Sequence, residues 1–222
     1  MKKISFLTGI LTVALLIASN FGTSAENATI AEKFASVDTK LSAQEQTGTY
    51  NFDKAHSSIG FRVRHMGLVD VPGYFRDFTG TINYDGKDVA KSSVQFTAKM
   101  ESVDTGVAPR DKHLRTADFF EVEKYPEMTF KSTKVEKKGK NWMVTGDLTM
   151  KGVTKQISMP ITVAGFAQDQ RGTKMGVMAE TTINRRDFGV NYGSSLPSGV
   201  PVLSDDIKVV LNVEAAKAKA AQ

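Results

Sequence analysis

The sequence predicts an all-β fold of eight antiparallel strands, each with one apolar and one polar face. Three observations lead there. Apolar residues recur with a period of two along most of the chain after residue 48. The turn signals Asp85-Gly86, Lys138-Gly139, Lys151-Gly152 and Arg171-Gly172 separate the alternating runs. Hydrophobic residues make up 41% of the 222 residues, enough for a packed core. One-faced strands of this kind either close into a barrel or stack as a sandwich.

Residues 1–25 are set aside as a secretory signal peptide. Lys2 and Lys3 form its positive start, Ile4 to Ala18 its apolar run, and Thr23-Ser24-Ala25 its small-residue end, so cleavage is expected after Ala25. The two-lysine start looks bacterial and points to the periplasm. Export permits disulfides, yet the chain contains no cysteine, which excludes thiol catalysis and thiolate metal sites. Residues 26–47 are a polar extension in which Ile30, Phe34, Val37 and Leu41 fall at helical spacing. That segment reads as a docked amphipathic helix or as a loose tether. Residues 216–222 read as a tail.

The strands follow in order. Ile59, Phe61, Val63 and His65 share one face, and residues 78–84 make the next strand. Val94, Phe96, Ala98 and Met100 share a face, followed by Met128 to Phe130. Trp142, Val144, Gly146, Leu148 and Met150 alternate, as do Ile157, Met159, Ile161 and Val163. Met175, Val177, Ala179, Thr181 and Ile183 come next, and Ile207, Val209, Leu211 and Val213 close the series. β-Bulges are expected near residues 80–84 and 150–156. Pro72-Gly73, in the stretch VDVPGYF (69–75), reads as a type II turn at the lip of a tunnel.

An outward apolar face would make an outer-membrane barrel, which needs aromatic girdles at both interfaces. One Trp and five Tyr do not supply them. The apolar face is therefore expected inside a soluble barrel, filled by its own side chains or by one elongated ligand. The nine methionines suit a lining that adapts to a flexible apolar guest.

Little points to catalysis. The formal charge of +5 includes Lys2 and Lys3, and the remaining charges are interspersed. The basic run 134–142 reads as a solvated hairpin tip, so no nucleic-acid partner is expected. His56, His65 and His113 lack ligand-pair spacing, so no metal site is expected. Asp53, His56 and Ser57 have the composition of a triad without its context. Asp205 and Asp206 are adjacent and point to opposite faces of a strand.

The stretch PRDKHLRTADFFEVEKYP, residues 109–126, breaks the alternation. Pro109 suits the first turn of a short helix, and Asp111 and Arg115 are spaced as a helical ion pair. Phe119 and Phe120 are expected to plug or line the barrel.

Three stretches carry a resemblance. They are HMGLVDVPGYFRDFTGTI (65–82), the 109–126 segment, and INRRDFGVNYG (183–193) followed by LSDDIKVVLNVEA. Together they resemble the YceI family of exported, polyisoprenoid-binding proteins over residues 48–215. The resemblance implies an eight-stranded antiparallel lipocalin-like barrel with one or two short helices. It also implies a binding or carrier role rather than an enzyme, with a polyprenyl or quinone tail held along the barrel axis and no cofactor besides that lipid. Alternation then nominates the tunnel lining: Phe61, Val63, Phe78, Ile82, Phe96, Met100, Met128, Phe130, Val144, Leu148, Met150 and Ile161, joined by Phe119 and Phe120. Arg110, His113 and Arg115 are the candidates to meet a phosphate or quinone head, while Arg186 and Asp187 are expected to brace a turn. Membrane contact is expected to be peripheral at most, and a homodimer is compatible with the sequence. The alternatives are an enzyme acting on a lipid or through a metal, and an envelope interaction protein acting through residues 26–47.

Overall fold

The computed structural model describes residues 41–139 and 141–219. The expected signal segment, residues 26–40 and the last three residues of the tail lie outside them. Among the described residues there are two short α-helices and eleven strands: α1 Ala43–Gln46, β1 Gly48–Phe52, β2 Ser58–His65, β3 Val69–Phe75, β4 Phe78–Tyr84, β5 Ser93–Lys99, β6 Val103–Asp104, α2 Ala108–Leu114, β7 Glu127–Lys138, β8 Asn141–Met150, β9 Val153–Asp169, β10 Gly172–Asn184 and β11 Leu203–Lys217.

Eight of the strands close a ring in the order β1-β4-β5-β7-β8-β9-β10-β11, with β1 returning to β11. Closure is antiparallel, with Tyr50 opposite Lys217 and Phe52 opposite Ala215. The other three strands, β2, β3 and β6, extend the first three walls beyond short breaks. The same edge of β11 carries β1 at residues 215–217 and β2 at residues 203–212. A long β11 thus spans a wall that its neighbour builds in two pieces. The eight-stranded antiparallel barrel implied by the resemblance is observed, although the ring strand next to β11 at closure is β1, where alternation had named β2. Full closure leaves the ring without exposed edges.

The alternation works as expected. In β8 the buried positions are Val144, Gly146, Leu148 and Met150. Outside, polar residues pair across strands, as Thr145 with Ser158 at 2.8 Å and Thr149 with Thr154 at 2.8 Å.

Three expectations about the walls are corrected. VDVPGYF is not a turn but strand β3, paired with β2 along its length. Pro72 falls where β3 has a neighbour on only one side, the edge position that tolerates a missing N–H. The register is continuous around 80–84 and 150–156. Its shifts fall instead at Ser132/Lys134, Gly176/Val177 and Leu203/Ile207. Strands β1 and β6 were also not anticipated.

One end of the barrel is floored. Tyr84 stacks on Trp142 with centroids 5.4 Å apart and planes 10° apart, and Phe166 packs between Tyr84 and Tyr50. The Tyr50 hydroxyl donates to the Gln46 carbonyl at 2.5 Å, and Leu41 packs against the core. Helix α1 is held by a Ser42/Glu45 capping box, and Lys217 Nζ donates to the Glu45 carbonyl at 2.6 Å. The described end of the N-terminal extension, 41–47, is therefore docked under the barrel. The rest of the proposed amphipathic helix lies outside the described residues.

Candidate functional site

The barrel interior is not filled. A cavity of about 360 Å³ occupies the end away from the floor, and a smaller one of about 60 Å³ lies near the floor. Phe61, Val63, Phe119, Phe120, Met128, Leu148 and Met150 line the larger. Ile82, Val144 and Ile161 line the smaller, and Phe96 and Phe130 touch both.

Phe78 and Met100 were expected in this lining and are not part of it. Both are buried, at 4% and 0% exposure, but they sit where the walls kink. The β3–β4 wall bends at residues 76–77, and the β5–β6 wall turns through residues 100–102. The two bends are tied together, with Arg76 N donating to the Ser102 carbonyl at 3.1 Å and Lys99 N to the Asp77 carbonyl at 2.8 Å. Both side chains belong to the buried core at these bends and line neither cavity.

The outer end of the larger cavity is bordered by α2 and by the loop after β10. Arg110 and His113 line it, as do His65, Thr105, Arg185 and Tyr192. Pro109 stands in the first turn of α2, as predicted. The predicted Asp111–Arg115 pair does not form. Asp111 is buried and instead accepts from the Thr105 backbone N–H at 2.9 Å and from its hydroxyl at 2.5 Å. Thr105 in turn accepts from Arg110 Nε at 2.7 Å through its hydroxyl and from Arg110 Nη2 at 3.0 Å through its carbonyl. Asp111 thereby latches the start of the helix to the strand end, a use that backbone donors left open by β6 make stronger than a surface ion pair.

Arg115 is absent from the cavity lining. Its guanidinium donates to the Glu101 carbonyl at 2.7 Å and the Val103 carbonyl at 2.8 Å, so it staples the helix exit to the wall. His113 sits at the lip with its Nε2 2.8 Å from Asp118 Oδ2, and the Phe119 and Tyr192 rings pack edge-on against it. Leu68, Val69, Val200 and Tyr192 are exposed, and a β-carbon at Gly67 would touch Val200, so the β2–β3 tip and the 189–202 loop meet there.

Arg185 was missed. It is 5% exposed and donates to the carbonyls of Ser204 (3.0 Å), Val190 (2.7 Å) and Tyr192 (2.7 Å) and to Asp205 (2.9 Å). Burial depresses its guanidinium pKa, and Asp205 opposes that effect. With four of its five N–H donors committed to these acceptors, this arginine shapes the lip. Its neighbour Arg186 pairs with Asp205 at 2.7 Å, as a turn brace would.

A separate cluster lies where β1 gives way to β2. His56 Nδ1 is 2.9 Å from Asp53 Oδ2 and 3.8 Å from Glu214 Oε1. Lys174 Nζ lies 2.6 Å from the same Glu214 oxygen, supplying the positive charge there. Ser57 exchanges hydrogen bonds with the Glu214 backbone and not with His56, so no nucleophile–base pair is assembled. Every buried polar side-chain atom among the described residues has a partner.

Comparison with known proteins agrees with this architecture. A family model described as "YceI-like domain" matches residues 50–215. Protein YceI of Escherichia coli O157:H7 is 38% identical over 173 residues, covering 77% of this chain and 87% of that protein. The crystal structure of Burkholderia cenocepacia BcnA superposes with a TM-score of 0.66 at 25% identity, covering 74% of this chain and 99% of that one. A Saccharophagus degradans domain, described as polyisoprenoid binding and implicated in plant cell wall breakdown, has the same fold. Its TM-score is 0.58 at 19% identity, over 78% of this chain and 100% of that one.

Proposed function

The chain belongs to the YceI family, and from that premise we propose that it is a periplasmic carrier holding one long-chain isoprenoid lipid, of the polyprenyl phosphate or quinone type, along the barrel axis. The observation that carries this reading is the apolar cavity of about 360 Å³ that ends beneath α2. Its ionisable residues His65, Arg110, His113 and Arg185 stand at one end, and apart from Thr181 the side chains deeper along its walls are apolar, a distribution that suits a lipid with one head and a long tail. The polyisoprenoid-binding domain of the same fold is in keeping with it.

The energetics suit a carrier. Burying about 600 Å² of prenyl chain at ~25 cal/mol/Å² is worth roughly 15 kcal/mol against water. A tail already in a membrane gains almost nothing by moving, so loading and release are both accessible. The exposed lip of Leu68, Val69, Tyr192 and Val200 suits peripheral contact with a membrane during exchange. Arg110 is the headgroup residue we favour, His113 its neighbour, and the reading needs no turnover and no cofactor besides the lipid. Export rests on the leader-like residues 1–25.

The test is lipid extraction and native mass spectrometry of the protein purified from its own host, with cell fractionation alongside. A stoichiometric isoprenoid in a periplasmic protein is the expected result. Repeated recovery of protein free of any amphiphile would overturn the reading.

A further inference from the structure

The two cavities share five lining residues: Ile59, Phe96, Phe130, Met159 and Leu211. They come from β2, β5, β7, β9 and β11, so they form one layer around the barrel, between the large cavity and the floor. Within it Phe96 and Phe130 are register partners on the adjacent strands β5 and β7, and their rings stack side by side on that wall, with centroids 5.8 Å apart and planes 24° apart.

We propose that this Phe96–Phe130 pair is a partition that sets how far a bound tail reaches, and so selects tail length. The inference rests on the lipid reading above and specifies it. A short tail ends at the pair and occupies the large cavity alone. A longer one must displace a ring before it reaches the small cavity and the Tyr84–Trp142 floor.

Two local features let the layer move without breaking the barrel. Gly146 has no side chain where Phe130 leans on β8: a β-carbon there would lie 2.6 Å from the ring tip. The ring therefore rests against bare backbone. Met159, the flexible member of the layer, can re-pack around a new neighbour.

The protein carries its own reporter. Trp142 is the single tryptophan, and it lines the small cavity beyond the partition. A bromine at the tip of a bound tail quenches that fluorescence only on reaching it. The experiment loads the delipidated mature protein with alkanols of graded length, each brominated at the far end. Native mass spectrometry measures binding and Trp142 emission measures reach.

Short chains are expected to bind without quenching, and quenching to begin at a threshold length. Phe96→Ala should move the threshold to shorter chains and raise the long-to-short affinity ratio about tenfold, because newly joined apolar space becomes usable. Phe96→Leu and Phe130→Leu, which keep the layer filled, should shift it partway and serve if the alanine variant does not fold. Quenching at every length in the unmodified protein, or a threshold that none of the three variants moves, overturns the partition while leaving lipid binding intact. Failure of any chain to bind overturns the lipid reading itself, and the partition with it.

Discussion

Gly73 lies directly across from Phe61 on the neighbouring strand, and a β-carbon at 73 would fall 2.2 Å from the tip of the Phe61 ring. The ring lies over the bare backbone of β3 while its other side faces the large cavity. Gly73→Ala must therefore push the ring into the cavity. We expect a loss of about 1–3 kcal/mol in urea unfolding, the range for an overpacked contact, together with weaker loading of long-tailed lipid. Phe61→Ala in the same background should restore stability in part, because it removes the clash. A variant as stable as the parent would show that the ring has another place to go.

This pair also shows what could and could not be read from the chain. Alternation at Phe61, Val63, Phe96 or Leu148 needs only the local pleat, so the barrel and most of its lining were legible. Pro72-Gly73 has the composition of a turn, and its place in a strand depends on a ring contributed by β2. Phe78 and Met100 lie on the correct face but at kinks made by contacts between two walls, which no single strand displays. Asp111 and Arg115 have ideal ion-pair spacing, yet each is drawn to backbone groups of residues 101–105. Nothing in the run Arg185-Arg186 distinguishes the buried arginine from the exposed one. That difference arises only when the 189–202 loop folds over the first of them.

Arg185 is the hub of that loop. Its fork reaches four acceptors in different directions, which a lysine ammonium cannot span. Arg185→Lys and Arg185→Met should each cost about 2–4 kcal/mol, since buried carbonyls lose their donors. Limited proteolysis should then cut within 189–202, where the parent resists. Equal protection in parent and variants would mean that the loop is held by other contacts.

The floor should be the alkali-sensitive part of the barrel. Burial, with a smaller contribution from Tyr84, raises the Tyr50 phenol from its ordinary value of 10.0 to about 12. Its hydroxyl also donates to Gln46, which only the neutral form can do. A folded pKa above the unfolded one gives stability that is complete below about pH 10 and is lost as pH rises toward 12. Burial also raises the neighbouring Tyr84 phenol, so ultraviolet titration should show the floor tyrosines ionising after the exposed ones, with unfolding over the same interval. Tyr50→Phe should reduce the amplitude of that late step and flatten the stability profile between those pH values. An unchanged profile would place the alkaline transition elsewhere.

The two arginines of the 109–126 segment should separate cleanly by ligand. Arg115 spends its guanidinium on the Glu101 and Val103 carbonyls and lies outside the cavity lining. Arg110 lines the cavity and bonds Thr105 through Nε and Nη2, while its Nη1 makes no protein hydrogen bond among the described residues. A guanidinium held rigid on one side with donors to spare on the other suits a phosphate oxygen. Arg110→Ala should weaken a prenyl phosphate by about tenfold to a hundredfold, the worth of one charge-assisted hydrogen bond or more, and leave the prenyl alcohol of the same length nearly unaffected. Arg115→Ala should instead lower stability by about 1–2 kcal/mol through lost staples and change both ligands alike. Competition between the alcohol and the phosphate on each variant reads both effects at once. If Arg110→Ala weakens the alcohol as much as the phosphate, its role is to position α2 and the head is bound elsewhere on the lip.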